Sequence, residues 1–197
     1  EKLMFRKNYK VIWDYGIKDN IKRNKLVATL NNTILDLLNT TNLIVVDRVE
    51  HGNNILQNTE LLSHTRALAS FGKDSVLVRD YKKEALMNYD INTLVSNILF
   101  EGVDFEISPV VSINASGRQG FIKIIQSLGR ITRKNEKFKS FRIYCDFIDR
   151  FHPVLTQHSN ERMNTCREHG IEVVECDTLN DMLCEIIKHY KQCMAEN

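Results

Sequence analysis

The chain has 197 residues, a net charge of +2, 43% hydrophobic residues and 26% charged ones. That length supplies one α/β domain with a buried core and a small appendage, and an ordinary composition with only two prolines and eight glycines excludes a disordered or linker-rich chain. The charge is too small for bulk electrostatics to mark a nucleic-acid binder, so that case rests on local charge.

Residues 1–15 are mixed and partly extended, with Lys10-Val11-Ile12-Trp13 as a short strand or a packed arm. From Ile17 to Leu38 the apolar residues follow a 3.6 period, which predicts a helix, and Asn39-Thr40-Thr41-Asn42 ends it as a turn. Leu43-Ile44-Val45-Val46 is a β-branched apolar run, the mark of a strand buried on both faces of a parallel sheet. Residues 51–70 then read as helix with a break near Thr59. Ser75-Val76-Leu77-Val78 reads as a second buried strand, and residues 82–88 as a short helix. Residues 92–96 and 110–113 read as the third and fourth strands, 119–132 as a helix, and 141–147 as the fifth strand.

The tail from about residue 151 reads as helix, strand and helix, a C-terminal extension packed on a domain that spans 1–150. Its strand is Ile171-Glu172-Val173-Val174-Glu175. Its last helix carries an amphipathic stripe of Leu179, Met182, Leu183, Ile186, Ile187 and Tyr190, opened by a capping box at Thr178 and Asp181. Strands alternating with helices over short links predict right-handed crossovers and a mainly parallel sheet. Cysteines at 145, 166, 176, 184 and 193 show no C-x-x-C spacing, and read as reduced thiols of an intracellular protein. No apolar run approaches the roughly 20 residues that span a bilayer.

Two segments carry the candidate chemistry. Gln126-Ser127-Leu128-Gly129-Arg130-Ile131-Thr132-Arg133 has the form Q-x-x-G-R-x-x-R, and its two arginines share one helical face. Upstream, Ser96-Asn97-Ile98-Leu99-Phe100-Glu101-Gly102-Val103-Asp104 runs from a strand into a loop, where α/β folds place ligands. Taken in order with the strand at 43–46 and Val49-Glu50-His51-Gly52, these segments resemble motifs IV, V and VI of superfamily 2 helicases. They match that family's second, C-terminal RecA-like domain, most like the UvsW-type phage and viral DNA helicases. The resemblance covers residues 15–150.

The resemblance implies a RecA-like, P-loop-NTPase-type α/β fold without a Walker A of its own. It makes Arg130 and Arg133 arginine fingers toward the γ-phosphate of ATP, with Gln126 contacting phosphate or the attacking water. Charge stabilisation of this kind accelerates phosphoryl transfer by about 10³ to 10⁵. It places Glu101, Gly102, Asp104 and Gly129 around the nucleotide, with Asp104 on the ribose hydroxyls. Ser96, Asn97, Arg48 and His51 become contacts to a nucleic-acid backbone, DNA more than RNA. Ser96 stands where many relatives have Thr and keeps the hydroxyl.

The plain alternatives remain open beside these roles: a solvated basic face for the arginines, a capped turn for 101–104, and loop chemistry for Arg48 and His51. Arg118, in Asn114-Ala115-Ser116-Gly117-Arg118-Gln119-Gly120, reads as a loop residue within reach of phosphate. His51 has no companion ligands for a metal.

No G-x-x-x-x-G-K-[ST] and no Asp-Glu dipeptide occurs. ATP with Mg²⁺ is therefore expected to sit mainly on an N-terminal RecA-like domain of the same protein, absent from this chain. The chain begins at Glu1 rather than Met, which suggests a fragment, inactive as an ATPase by itself. Two rival readings stand beside the motor: a nucleic-acid- or partner-binding module on the same fold, and an unrelated α/β enzyme. The second rival lacks a nucleophile elbow, a G-x-G-x-x-G and a metal cluster.

Overall fold

Buried β-branched runs build the centre of the sheet. In the computed structural model, which describes residues 8–59, 65–97, 111–119 and 141–195, strand β1 is Asn42–Val45, β3 is Thr93–Ser96 and β4 is Val111–Asn114, and every residue of all three is buried. Strand β2 (Ala67–Ser70) and β5 (Ile143–Cys145) are the half-buried edges. All five are parallel, in the order β2-β3-β1-β4-β5, so each neighbour is reached by a crossover rather than a hairpin. The mainly parallel sheet flanked by helices is what the sequence predicts.

Side-chain alternation divides the core between two faces. Ile44, Val46, Val95, Val111, Ile113 and Cys145 lie on one face. Three helices cover it: α2 (Ile21–Leu38) through Val27, Leu30, Ile34 and Leu38, α3 (Val49–Thr59) through Ile55, and the C-terminal helix α6 (Leu179–Ala195) through Ile186. Leu43, Val45 and Leu94 point the other way, onto Ala85 and Leu86 of α4 (Val76–Met87).

Capping fixes several boundaries. Asn20 accepts the Arg23 N–H at 3.1 Å to start α2, and Asn39 closes it in the left-handed region at φ 46°, a conformation that asparagine tolerates. At the start of α6, Asp181 accepts from the Thr178 N–H at 3.1 Å and Thr178 Oγ1 accepts from the Asp181 N–H at 3.1 Å, the reciprocal box read from the sequence.

Four local expectations are corrected. Residues 10–13 belong to a helix, α1 (Tyr9–Trp13), that runs into a π-helical turn at Asp14–Lys18. Asn8 caps it, and the π turn brings Ile12, Trp13, Gly16 and Ile17 inward together, a spacing that is helical rather than extended. Residues 67–70, read as the end of a helix, are edge strand β2. Residues 75–78, read as a buried strand, are the Ser75 cap and first turn of α4, with Val76, Leu77 and Val78 exposed at 61%, 82% and 42%. Residues 171–175, read as a strand, are irregular, although Ile171 and Val173 still pack with Tyr144 on Cys166. The helix before that segment is α5 (Pro153–Glu168), opened by a proline in its first turn.

Candidate functional site

The carboxyl ends of β3, β1 and β4 lie side by side, with Ser96, Val45 and Asn114 in register. The residues that follow these strands form one edge: Asn97 after β3, Asp47 and Arg48 after β1, and Ala115 to Arg118 after β4. In parallel α/β sheets this edge is where ligands bind.

Ser96 closes β3 at 1% exposure, so its hydroxyl lies beneath the edge. Asn97 Oδ1 accepts from the Gly72 N–H at 3.0 Å, which ties the loop after β2 to the end of β3. Arg48 stands at the start of α3 with its guanidinium carbon 5.1 Å from the centre of the Trp13 ring, an Arg–aromatic stacking contact. Its Nε is 3.9 Å from Asp47 Oδ2, and the Arg118 Nε lies 2.9 Å from the same oxygen. The Arg118 guanidinium is also placed over Trp13, at 5.7 Å.

His51 is placed differently from its sequence reading as a nucleic-acid contact. The ring is fully buried and meets Trp13 edge-on with centroids 5.8 Å apart, so it offers no surface to a bound strand. Asn24 uses its Nδ2–H to reach the Lys18 carbonyl at 2.7 Å, leaving Oδ1 to face His51 Nε2 at 3.1 Å. An acceptor there requires the tautomer with the proton on Nε2. Burial, reinforced by the positive charges of Arg23 and Lys18, pushes the histidine pKa down to about 3. The ring is therefore neutral and holds α3 against α2.

The loop after β4 is gripped from three directions. Trp13 Nε1–H donates to the Ser116 carbonyl at 2.8 Å, Arg23 Nη1–H to the Ala115 carbonyl at 2.9 Å, and Arg162 Nη1–H to the Arg118 carbonyl at 3.1 Å. Between them, Gly117 adopts φ +64° with Ile17 pressed against it; a Cβ there would come within 2.5 Å of Ile17 Cδ1. Asn114 Oδ1 accepts from the Ser116 N–H at 3.2 Å and from its hydroxyl at 2.8 Å. Four residues thus have almost no backbone freedom.

Two of these clamps belong to a buried ionic cluster. Arg162, 1% exposed, forms a two-pronged pair with Asp146 at 2.7 and 2.9 Å, and donates to the Phe147 carbonyl at 3.0 Å. Arg23 pairs with Asp149 through Nε and Nη2 and lies over Phe147 at 5.0 Å. Burial opposes the Arg162 charge, but Asp146 and Asp149 outweigh it and hold its pKa above the ordinary arginine value. Arg23 and Asp149 are 126 residues apart, and nothing in local patterning marks either as buried. Arg23, Arg162 and Trp13 were therefore invisible as site-forming residues.

Among the described residues no group of three or more His, Cys, Asp or Glu side chains is placed to hold a metal ion, and no helix is long and apolar enough to cross a membrane. Cys145 and Cys166 are buried, Cys176 and Cys193 half-buried and Cys184 exposed, all as free thiols; burial pushes the Cys145 thiol up to about 12. The expected nucleotide and finger residues Glu101, Gly102, Asp104, Gln126, Gly129, Arg130 and Arg133 lie outside the described residues.

No family model and no curated protein matches the chain. Solved structures do. The C-terminal domain of the DEAD-box protein Dbp5 aligns with a TM-score of 0.61 at 15% identity, over 82% of this chain and 91% of that one. Saccharomyces cerevisiae Dbp5 bound to RNA and ADP BeF3 aligns at 0.64 and 15% identity, over 88% of this chain and 43% of that one. UvsW of T4 aligns at 0.64 and 19% identity, over 88% of this chain and 37% of that one. The equal TM-scores of the last two give the UvsW group no priority. The chain spans nearly all of an isolated C-terminal domain and less than half of the longer helicase chains. Its five-stranded parallel sheet with flanking helices has the RecA-like fold of helicase C-terminal domains.

Proposed function

We propose that this chain is the second motor domain of an ATP-dependent nucleic-acid helicase or translocase. The observation that carries the reading is positional. Asn97 and Arg48, singled out by the resemblance, lie just past the ends of adjacent strands, Asn97 next to β3 and Arg48 at the third position after β1, at the carboxyl edge of a sheet with the helicase C-terminal fold. Such an edge, closed against a first domain, encloses a cleft between two RecA-like units.

On this reading Arg48 and Asn97 meet the sugar-phosphate backbone, with the buried Ser96 and His51 as packed support behind them rather than contacts. Backbone contacts position a strand without reading its sequence, so the domain steps along any sequence. A Dbp5 relative is bound to RNA, and the proposed ligand is therefore nucleic acid without a preference for DNA. ATP with Mg²⁺, held mainly by the first domain, supplies the phosphoryl group whose transfer drives the cycle. Glu101, Gly102, Asp104 and Gly129 line the nucleotide from this side. Arg130 and Arg133 offer two always-charged planar guanidiniums to the transferring group, and Gln126 orients water.

The test is nucleic-acid-stimulated ATP hydrolysis by the full-length parent protein, wild type beside Arg130→Ala and Arg133→Ala. Stimulated turnover in the wild type, lost by about 10³-fold in each variant while the strand is still bound, is the expected result. A folded full-length wild type that binds nucleic acid but never hydrolyses ATP would establish a non-motor binding module instead.

A further inference from the structure

We propose that Arg48 and Arg118 form a two-guanidinium seat for one phosphodiester of the bound strand, with Trp13 as its floor. The proposal rests on the nucleic-acid reading above and adds Arg118 and Trp13 to it. Three observations support it.

The first is proximity. Both guanidiniums stack on the same indole, at 5.1 and 5.7 Å from its centre, and both Nε atoms approach the same Asp47 oxygen, at 3.9 and 2.9 Å. The two forks are near enough for one phosphate to meet both, and Asp47 supplies one negative charge against their two positive ones. Stacking also leaves the edge of each guanidinium, with its N–H groups, free to turn outward.

The second is rigidity. Arg118 projects from the backbone that Trp13, Arg23 and Arg162 clamp, directly after Gly117 in its left-handed conformation. Arg48 projects from the residue before α3, whose His51 is locked to Asn24 and Trp13. A seat held in place before the ligand arrives spares part of the ordering cost of binding.

The third is access. The side chains of Arg48 and Arg118 are 36% and 40% exposed, whereas Trp13 beneath them is 1% exposed. They stand on the same carboxyl edge as Asn97: Arg48 follows β1, one strand from Asn97, and Arg118 follows β4, the next strand beyond. A strand whose backbone passes Asn97 and Arg48 continues over Arg118.

The test is equilibrium binding of a labelled single-stranded oligonucleotide, as DNA and as RNA, to the full-length protein over a salt series. The proteins are wild type, Arg48→Gln, Arg118→Gln, the double variant and Arg118→Lys. Arg118→Gln is expected to weaken binding roughly tenfold and to flatten the plot of log affinity against log salt. The double variant loses one phosphate's worth of slope, about 0.7 for a single strand, and its affinity falls by less than the product of the two single losses. Arg118→Lys keeps the charge without the planar fork, so it retains the slope and part of the affinity.

Wild-type affinity and slope in Arg118→Gln, alongside tight binding by the wild type, overturn the seat and leave the proposed function standing. Multiplying losses with two phosphates' worth of slope overturn the shared seat in favour of two independent contacts. No binding of either oligonucleotide by folded wild type overturns the seat and the nucleic-acid reading together.

Discussion

Lowering the pH from 7 to 5 probes the burial of His51 directly. In the folded chain its ring is neutral, with a pKa near 3 set first by burial and then by Arg23 and Lys18; in the unfolded chain it returns to about 6.5. The unfolded state therefore binds a proton that the folded state refuses. Stability from this group is complete above about 6.5 and is lost as the pH falls from there toward 3. Between pH 7 and pH 5 the difference in proton uptake amounts to about 1.4 pKa units, or about 2 kcal/mol. Urea unfolding of the wild type and of His51→Gln at both pH values gives the comparison. Glutamine does not titrate and can still donate to Asn24 Oδ1. The wild type is expected to lose about 2 kcal/mol more than the variant, roughly 1 M in urea midpoint for a slope of about 2 kcal/mol/M. The other titrating groups cancel in that difference. Parallel losses in the two proteins would refute the buried neutral ring, as would a histidine resonance from position 51 that titrates near 6.5 in the folded wild type.

Three further outcomes follow from the packing. Gly117→Ala places a Cβ within 2.5 Å of Ile17 and forces an L-residue to φ +64°, so thermal melting should show a loss of at least about 1–2 kcal/mol; an unchanged midpoint would mean the loop can rearrange. Arg162→Met strands Asp146 without its two-pronged partner and should cost about 3–5 kcal/mol, whereas the Arg162→Met, Asp146→Asn double variant should recover part of that; additive losses in chemical denaturation would contradict the pairing. Thr178→Ala removes the hydroxyl that accepts from Asp181 N–H and should cost about 1 kcal/mol, and amide exchange at Asp181 should speed up with it.

The legible part of the fold was the part whose chemistry is local. Leu43 to Val46, Thr93 to Ser96 and Val111 to Ile113 show their strands because central parallel strands are buried on both faces and rich in β-branched residues, and no neighbour is needed to see it. Edge strand β2 escaped notice because Ala67-Leu68-Ala69-Ser70 carries no β-branched residue; its place comes from pairing with β3. The opposite error at Ser75 to Val78 arose because three consecutive apolar residues look like a buried strand, while the deciding feature was Ser75 as a helix cap. Trp13 was placed in a strand or arm, although Ile12, Trp13, Gly16 and Ile17 already had helical spacing.

At the site, Arg48 and Asn97 were legible as residues that follow strands. His51 was grouped with them by nearness in sequence, but a helical turn carries its ring inward to Asn24. Buried Arg23 and Arg162 have the same sequence appearance as exposed arginines, and only the long-range carboxylates at 146 and 149 distinguish them. The residues proposed as fingers and nucleotide contacts, between 98 and 110 and between 120 and 140, fall outside the described residues.

The three donors on the loop after β4 come from the beginning, the first third and the last quarter of the chain. Trp13 lies in the N-terminal helix, Arg23 in α2 and Arg162 in α5. A domain trimmed to its sheet by cutting before residue 20 or after residue 150 would retain every strand and lose one of these donors at either cut. Such a truncation would keep all five strands while Arg118 lost part of its fixed origin, and the cut after residue 150 would also strip α6 from the core. Both ends of the chain are in this sense structural parts of the carboxyl edge.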